Sequence, residues 1–298
     1  MSLPVLAILM PGDMGHAVGR TLRQHGHRVL TCLDGRSHRT RGLAEAAGLE
    51  DAGDLKSLVG EADMILSILP PACALPQAED VAKAIGQVAT APVYVDCNAI
   101  SPMLSAKVGG VIEGAGAPYI DAGIIGLAPG KGTPPRFYVS GADTAPMEAL
   151  HGKGIEVLAL EGGVGAASGI KMCYAALTKG KWTLQTAVLL TAEQLGLSEV
   201  LCEEFAHSQP GELKFMRQRV PRLPADSQRW IDEMEEIAAT FADAGVPPGF
   251  HEGAAEVFRL LSKTPFASET RETIDANRSM EQSIKVYAEQ LPKPARTT

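Results

Sequence analysis

"AILMPGDMGHAVGRTL", residues 7–22, closes a short apolar run, turns through two glycines and opens a helical pattern. The pattern it invites is G-x-G-x-x-G between a strand and a helix. There the first glycine makes a tight turn, the second lets backbone approach a pyrophosphate, and the third lets helix and strand pack closely. Gly12 and Gly15 hold the second and third places, with Asp13 and Met14 between them, while Met10 holds the first. Pro11 biases Met10 toward an extended backbone, so a side chain fits there if the turn is made one residue later. The helix start behind the turn would supply amide donors and a positive dipole end. Taken alone, the stretch reads either as a nucleotide-binding turn or as a plain strand-turn-helix.

The surroundings set the fold class. To about residue 160, apolar runs ("VLAIL", "HRVLTCL", "MILSIL", "VYVDC", "PYIDAG", "RFYVSG", "IEVLAL") alternate with polar or helical stretches at 15–25, 38–48, 74–89 and 101–115. Short strands buried on both faces and separated by helices predict an α/β, doubly wound, mostly parallel sheet. After Ala166 the strand signals stop, and helical patterns run over 168–195, 199–207, 227–244, 249–262 and 267–290. The first of these is roughly 40 Å long at 1.5 Å per residue and apolar around much of its girth, as a shared core element is. We therefore expect a dinucleotide-binding domain over 1–161 and an all-helical domain over 162–298, with the tail "QLPKPARTT" frayed.

Composition excludes several classes. The 298 residues carry 27 Lys+Arg against 35 Asp+Glu, a net charge of −8, which argues against a nucleic-acid partner or an anionic membrane. No apolar run approaches the roughly 18 residues of a spanning helix, and "MSLPVLAILMP" reads as a first strand and not as a signal peptide. The five cysteines are scattered, with no C-x-x-C spacing, and no H-E-x-x-H or His/acid cluster occurs. These absences point away from a metal site and toward a reducing cytoplasm.

Candidate site residues collect at strand ends. Asp34, 19 residues past Gly15, ends the second strand, where an acid accepts ribose hydroxyls and favours NAD. It opens "DGRSHRTR", however, whose Arg36, Ser37, Arg39 and Arg41 are suited to a 2′-phosphate and favour NADP. The alternative for that run is a solvated loop. "SILPPACALP" (67–76) ends another strand at Leu69 and Pro70, where open parallel sheets place ligands. "VDCNAISP" (95–102) ends the next with Asn98 and Ser101; Asn98 would hold a carboxamide or substrate hydroxyl, or else make an Asx turn. In "GGVGAASGIKMCYAALTKGKW" (162–182) Lys171 lies near the start of the long helix in an otherwise uncharged stretch. If it faces a cleft, desolvation and the helix dipole draw a lysine toward general-base duty. Tyr174, one turn on, shares its face. Lys179 and Lys181 read as solvent-facing or phosphate-contacting, and His251 in "PPGFHEGAAEV" as a helix-start residue.

In order, "MPGDMG", "SILPP", "DCNAISP", "DAGIIG" and "GVGAASGIK" resemble the β-hydroxyacid dehydrogenase family, which includes 3-hydroxyisobutyrate and 6-phosphogluconate dehydrogenases. The likeness runs from about residue 5 to 180. The remainder, with "RWIDEMEEIAATFADAG" (229–245), resembles the C-terminal domain of a less characterised branch. The resemblance implies a Rossmann-like domain joined to a helical one that makes dimers or tetramers. It also implies a catalytic lysine at Lys171 that exchanges the hydroxyl proton while hydride passes to or from the nicotinamide. The chain departs from the family at several points. Asn98 and Ala99 stand in the D-x-S-T-I-S-P motif, and Gly123, Ile125 and Leu127 in the D-A-P-V-S-G-G carboxylate clamp. Tyr174 replaces the asparagine of K-x-x-N, and Asp232 stands near the place of a later lysine. A pocket rebuilt with Ile125, Gly126 and Tyr174 suits a bulkier or less polar substrate.

These features lead to an expectation of a cytoplasmic, NADP-preferring (alternatively NAD-using) oxidoreductase acting on a small hydroxy acid or bulkier alcohol. Gly12, Asp13, Met14, Gly15, Asp34, Arg36, Ser37, Leu69, Pro70 and Asn98 would hold the cofactor. Lys171 would be catalytic, and Asn98, Ile125, Gly126 and Tyr174 would face the substrate. An imine reductase and a non-catalytic NADP(H)-binding protein are the alternatives.

Overall fold

The computed structural model describes residues 3–292, so the end of the expected frayed tail, from residue 293, lies outside the described residues. The chain divides into two compact units between Tyr174 and Ala175. The first unit begins β1 (Leu6–Ile8), α1 (Gly15–Gln24), β2 (Val29–Thr31), α2 (His38–Ala47), β3 (Glu50–Asp51), α3 (Leu55–Glu61), β4 (Met64–Ser67), α4 (Ala74–Ile85). It continues β5 (Val93–Asp96), α5 (Pro102–Gly114), β6 (Tyr119–Ile125), β7 (Arg136–Ser140), α6 (Ala145–Glu148), β8 (Glu156–Ala159), and ends in the first turns of α7 (Ala166–Gln194).

The strands form one sheet in the order β3-β2-β1-β4-β5-β6-β7-β8. Every pairing is parallel except β6 with β7. Chain order reverses between β1 and β4, the switch point at which doubly wound sheets open a ligand crevice beyond their carboxyl ends. This is a Rossmann-like fold. Both sheet faces are covered, which explains the runs of unbroken apolar residues. Leu6, Ile8, Met64, Leu66, Val95 and Ile120 pack on one side with Val18 and Leu22 of α1. Ala7, Leu30, Ile65, Tyr94 and Tyr119 pack on the other with Leu58, Val81 and Ile112.

Among the elements that escape the sequence pattern here are β3 and α3. β3 is two residues long, both exposed, and α3 is seven residues long. Neither is long enough to show a period, and α3 is announced only by its cap, Asp54, which accepts from Ser57 N at 2.7 Å.

The second unit is helical: the rest of α7, then α8 (Ser198–Ser208), α9 (Pro210–Arg219), α10 (Pro224–Asp243), α11 (Gly249–Leu261) and α12 (Met280–Ala288). Its core centres on Trp182, Trp230 and Phe258, with successive ring centroids 5.2 Å apart. Lys179, expected at the surface, is buried instead; its Nζ donates to Glu233 Oε1 at 2.7 Å and lies over the Trp230 ring. A buried cation is tolerated because its partner is buried beside it. His251 is buried in the first turn of α11 against Phe241 and Phe250, and burial holds its imidazole below the usual value.

The helix expected over 267–290 is confined to α12. Upstream, side chains capture the backbone: Thr270 N donates to Thr273 Oγ1 and Asn277 N to Asp275 Oδ1. Ser279 and Gln282 then form a reciprocal capping box that fixes the start of α12. α9, absent from the sequence reading, starts at Pro210, where proline suits a first helical position. Among the described residues no helix is long and apolar enough to cross a membrane.

Candidate functional site

The opening turn is made around Pro11. Gly12 N donates to Met10 O at 2.9 Å, a three-residue turn that lets Met10 keep its side chain. A Cβ at Gly15 would lie 2.2 Å from Met10 O and 3.1 Å from Ile8 Cγ2, so glycine there is what seats α1 on β1. A Cβ at Gly12 would meet nothing within 4 Å, which leaves that stretch of backbone open to an approaching group. No side chain caps α1, whose N-cap is Met14, and its first turn carries no acid. An uncapped helix start, bare backbone and a positive dipole end together fit a pyrophosphate.

Beyond β2 the candidates separate. Asp34 is exposed and Gly35 turns at φ 66°. Ser37 caps α2, accepting from Thr40 N at 3.2 Å, so its hydroxyl is engaged in the fold. Arg39 pairs with Asp13 of the glycine turn at 2.7 Å, while Arg41 Nε donates to Arg36 O. Arg36 folds back over the end of β1. One terminal nitrogen donates to Leu9 O at 3.3 Å and faces Gln77 Oε1 at 3.5 Å, while its Nε is buried without a partner. This end of β2 thus offers the ribose end of a dinucleotide both a guanidinium with an unpartnered donor and the exposed carboxylate of Asp34.

Asn98 departs from its expected ligand-facing role. It is only 2% exposed. Its Oδ1 accepts from Leu69 N at 2.5 Å and its Nδ2 donates to Ser67 Oγ at 3.1 Å, while its own N–H donates to Asp96 Oδ1. The amide thus latches the ends of β4 and β5 together and fixes Leu69 and Pro70, the latter opening a 3-10 turn over Pro71–Cys73. Asn98 positions the crevice wall and is not part of its surface. Ser101 caps α5, accepting from Leu104 N at 3.3 Å.

The residue that ties β6 to the start of α7 carried no sequence expectation. Asp121, in β6, has no exposed surface. Its Oδ2 accepts from Gly165 N, Ser168 N and Ser140 Oγ at 2.9, 3.0 and 3.1 Å. Its Oδ1 accepts from Ser168 Oγ and Ser105 Oγ at 2.5 and 2.9 Å. A carboxylate is worth burying when several donors replace its water, and two of these are backbone amides at the start of α7, where the dipole favours negative charge. Gly123 completes the seat: a Cβ there would lie 2.5 Å from Ala167 O and 2.8 Å from Lys171 Cβ. Gly123, a departure from the family pattern, therefore lets α7 lie directly on β6 with half-buried Lys171 over the strand's carboxyl-terminal half.

Asp96, paired in register with Asp121 on the neighbouring strand, is different. Its Oδ1 accepts from Asn98 N, while its Oδ2 is buried without a partner. Burial, aided by the Asp121 charge, pushes its carboxyl up to about 7. The signal for both was present in the sequence as an acid inside each apolar run, "YVDC" and "YIDAG".

Of the expected substrate-facing residues, Ile125 is half-buried and Gly126 exposed. Gly126 has φ 125° and stands against Pro135, so only glycine serves there. Leu127 follows, exposed, and Tyr174 is 53% exposed.

Comparison with known proteins places this architecture. The NAD-binding domain of 6-phosphogluconate dehydrogenase matches residues 7–151, and a domain of unknown function, DUF1932, matches 192–261. An uncharacterised 28.5 kDa protein of Methanothermus fervidus is 30% identical over 210 residues, 70% of this chain and 80% of that one. A solved conserved protein of unknown function, described as structurally similar to 3-hydroxyacid dehydrogenases, shares 26% identity at a TM-score of 0.62 over 86% of this chain and 96% of its own. The 3-hydroxyisobutyrate dehydrogenase of Mycobacterium tuberculosis shares the fold at a TM-score of 0.65 and 19% identity, over 95% and 98%. A reductive aminase of Aspergillus terreus, solved with NADPH, does so at 0.52 and 16%, over 87% and 93%. The chain belongs to the β-hydroxyacid dehydrogenase family, in the less characterised branch whose C-terminal domain is DUF1932, and its first unit is an NAD(P)-binding domain.

Proposed function

We propose that this chain is an NADP-preferring oxidoreductase that interconverts a hydroxy acid, or a bulkier alcohol, and its aldehyde or ketone, with Lys171 as general acid/base. The observation that carries the reading is the seat of Lys171. A fully buried carboxylate holds the first turn of α7, and Gly123 leaves out a side chain that would clash with the helix on β6.

When bound, the nicotinamide supplies or accepts the hydride. The open backbone at Gly12, with Asp13, Met14 and Gly15, holds the pyrophosphate; Arg36 holds the 2′-phosphate; Leu69 and Pro70 wall the crevice. In oxidation, neutral Lys171 Nζ takes the proton of the substrate hydroxyl; in reduction the ammonium returns it to the forming alkoxide. Ile125, Gly126 and Tyr174 shape the substrate end, where apolar bulk replaces the clamp for a small carboxylate. The acidic chain and a cytoplasmic setting suit a small-molecule substrate, and a second copy docks through the helical unit.

Lys171→Met lowers kcat at least 100-fold, within the range for a lost general acid/base, and leaves the Kd for NADPH within about twofold. A loss under tenfold overturns the role. Arg36→Ala raises KM for NADPH much more than for NADH, and equal effects make it a plain surface residue. Turnover confined to cyclic imines would move the chain to the imine reductases. NADPH binding with no turnover on any hydroxy acid or carbonyl would make it a binding protein.

A further inference from the structure

The helical unit holds a cavity of about 490 Å³ where the end of α9, the following 3-10 turn (Val220–Arg222) and the segment before α12 meet. Four arginines line it, Arg217, Arg219, Arg222 and Arg278, with one carboxylate, Asp275.

Two of the four are already neutralised. Arg278, its side chain 6% exposed, forks onto both oxygens of Glu269, donates to Pro221 O and stacks on Phe266. That arrangement leaves its Nε buried without a partner. Arg217 faces Glu281 at 3.7 Å. Arg219 and Arg222 have no carboxylate within 4 Å among the described residues. The guanidinium carbon of Arg219 lies over the indole of Trp182, 4.2 Å from the ring centroid. Its guanidinium is desolvated and sits close enough to Arg222 and Arg271 for their charges to act on it, against the opposing pull of Asp226.

Like charges gathered in one place cost stability, and a desolvated guanidinium without a hydrogen-bonded counter-charge costs more. The dipole at the end of α9 favours positive charge on that helix, which accounts for Arg217 and Arg219. It does not account for Arg222 or for the buried, unsatisfied Nε of Arg278. Rigid, planar guanidinium forks around a concave space are the arrangement that binds phosphate or carboxylate oxygens bidentately, and the volume suits a small metabolite.

We propose that this cavity binds a small dianion, with Arg219 and Arg222 supplying the charge and Arg278 Nε a further donor. Asp275 on the wall disfavours a third negative charge. Phosphate monoesters and dicarboxylates share the required chemistry.

The test is isothermal titration of the whole chain, saturated with NADP, using glycerol 1-phosphate and succinate, with glycerol and acetate as matched controls. One dianion should bind, more weakly as salt is raised, and which one binds names the ligand class. Arg222→Gln, an exposed position that leaves the core intact, should weaken binding about tenfold, the worth of one charge-assisted contact. Arg219→Gln/Arg222→Gln should abolish it, while Lys263→Gln, an exposed position in the same unit away from the cavity, should leave it unchanged. Absence of binding by either dianion, or binding unaffected by Arg222→Gln and the double variant, overturns the proposal.

Discussion

Asp96 and Asp121 are register neighbours on one sheet, yet they sit in different chemical settings. Asp121 accepts five hydrogen bonds; one oxygen of Asp96 accepts none. Burial and the Asp121 charge push the Asp96 carboxyl from an ordinary value near 4 up to about 7. Between those values the folded protein holds a proton that the unfolded chain has released, so stability falls as pH rises through this window and levels off above it. At about 1.4 kcal/mol per pH unit, the loss approaches 4 kcal/mol. Asp96→Asn keeps the acceptor for Asn98 N and cannot ionise. Its stability relative to the natural chain should therefore rise from pH 4 to pH 8 by up to about 4 kcal/mol, read by urea unfolding. A difference that stays constant across that range would show that Asp96 is ionised throughout. Neither acid drew notice in the sequence, because an acid in a strand looks alike whether it binds ligand, caps a helix or carries a proton. The turn at Gly12 and Gly15 was legible because the spacing of those glycines between strand and helix is itself the constraint, and the place of Lys171 in the first turns of the long helix was legible from the uncharged stretch around it. Asn98 was legible as a crevice residue, but its burial turned a ligand contact into a latch.

The seat of α7 on β6 is a matter of two elements meeting. Residues 123 and 167–171 are remote in sequence, and their contact is visible only once the strand and helix are placed. The sequence marked Gly123 as a lost feature of a carboxylate clamp; the packing shows what the substitution permits. Gly123→Ala would put a Cβ 2.5 Å from the Ala167 carbonyl, and a helical backbone cannot yield locally. α7 must shift from the sheet, at a cost of about 1–3 kcal/mol as overpacking does, and Lys171 shifts with it. We expect kcat to fall at least tenfold with little change in cofactor Kd, while the urea midpoint drops modestly. A wild-type kcat in this variant would detach the lysine's position from the glycine. The elements the sequence did show, the alternating strands and the long helix, are those whose burial imposes a period. Among those it missed, α3 and the broken 267–290 stretch are set by a cap and by side-chain-to-backbone bonds that override periodicity, while α9 starts at a proline with no side-chain cap.

At the scale of the whole molecule, the long helix that carries the lysine also presents apolar surface. Leu177 is 77% exposed and Leu184 52%. Seven residues apart, they lie on one face of α7, with Lys181 between them tied to Glu212 at 2.9 Å. Val200, 64% exposed on α8, adds to the apolar surface of this unit. Monomers rarely leave such faces to water, and a chain with a net charge of −8 repels its copies unless an apolar contact outweighs that repulsion. Association through α7, as proposed above, would cover the exposed leucines with a second copy of the same face. Leu177→Glu/Leu184→Glu places two charges on that face while touching nothing buried, so folding should change by only about 0.5 kcal/mol. Light scattering should then give the mass of one chain, against a multiple of it for the natural protein. An unchanged assembly in the double variant would locate the interface elsewhere. Activity of the dissociated form carries the remaining information: if kcat falls with the mass while Lys171 and the glycine turn are intact, the neighbouring copy completes the site.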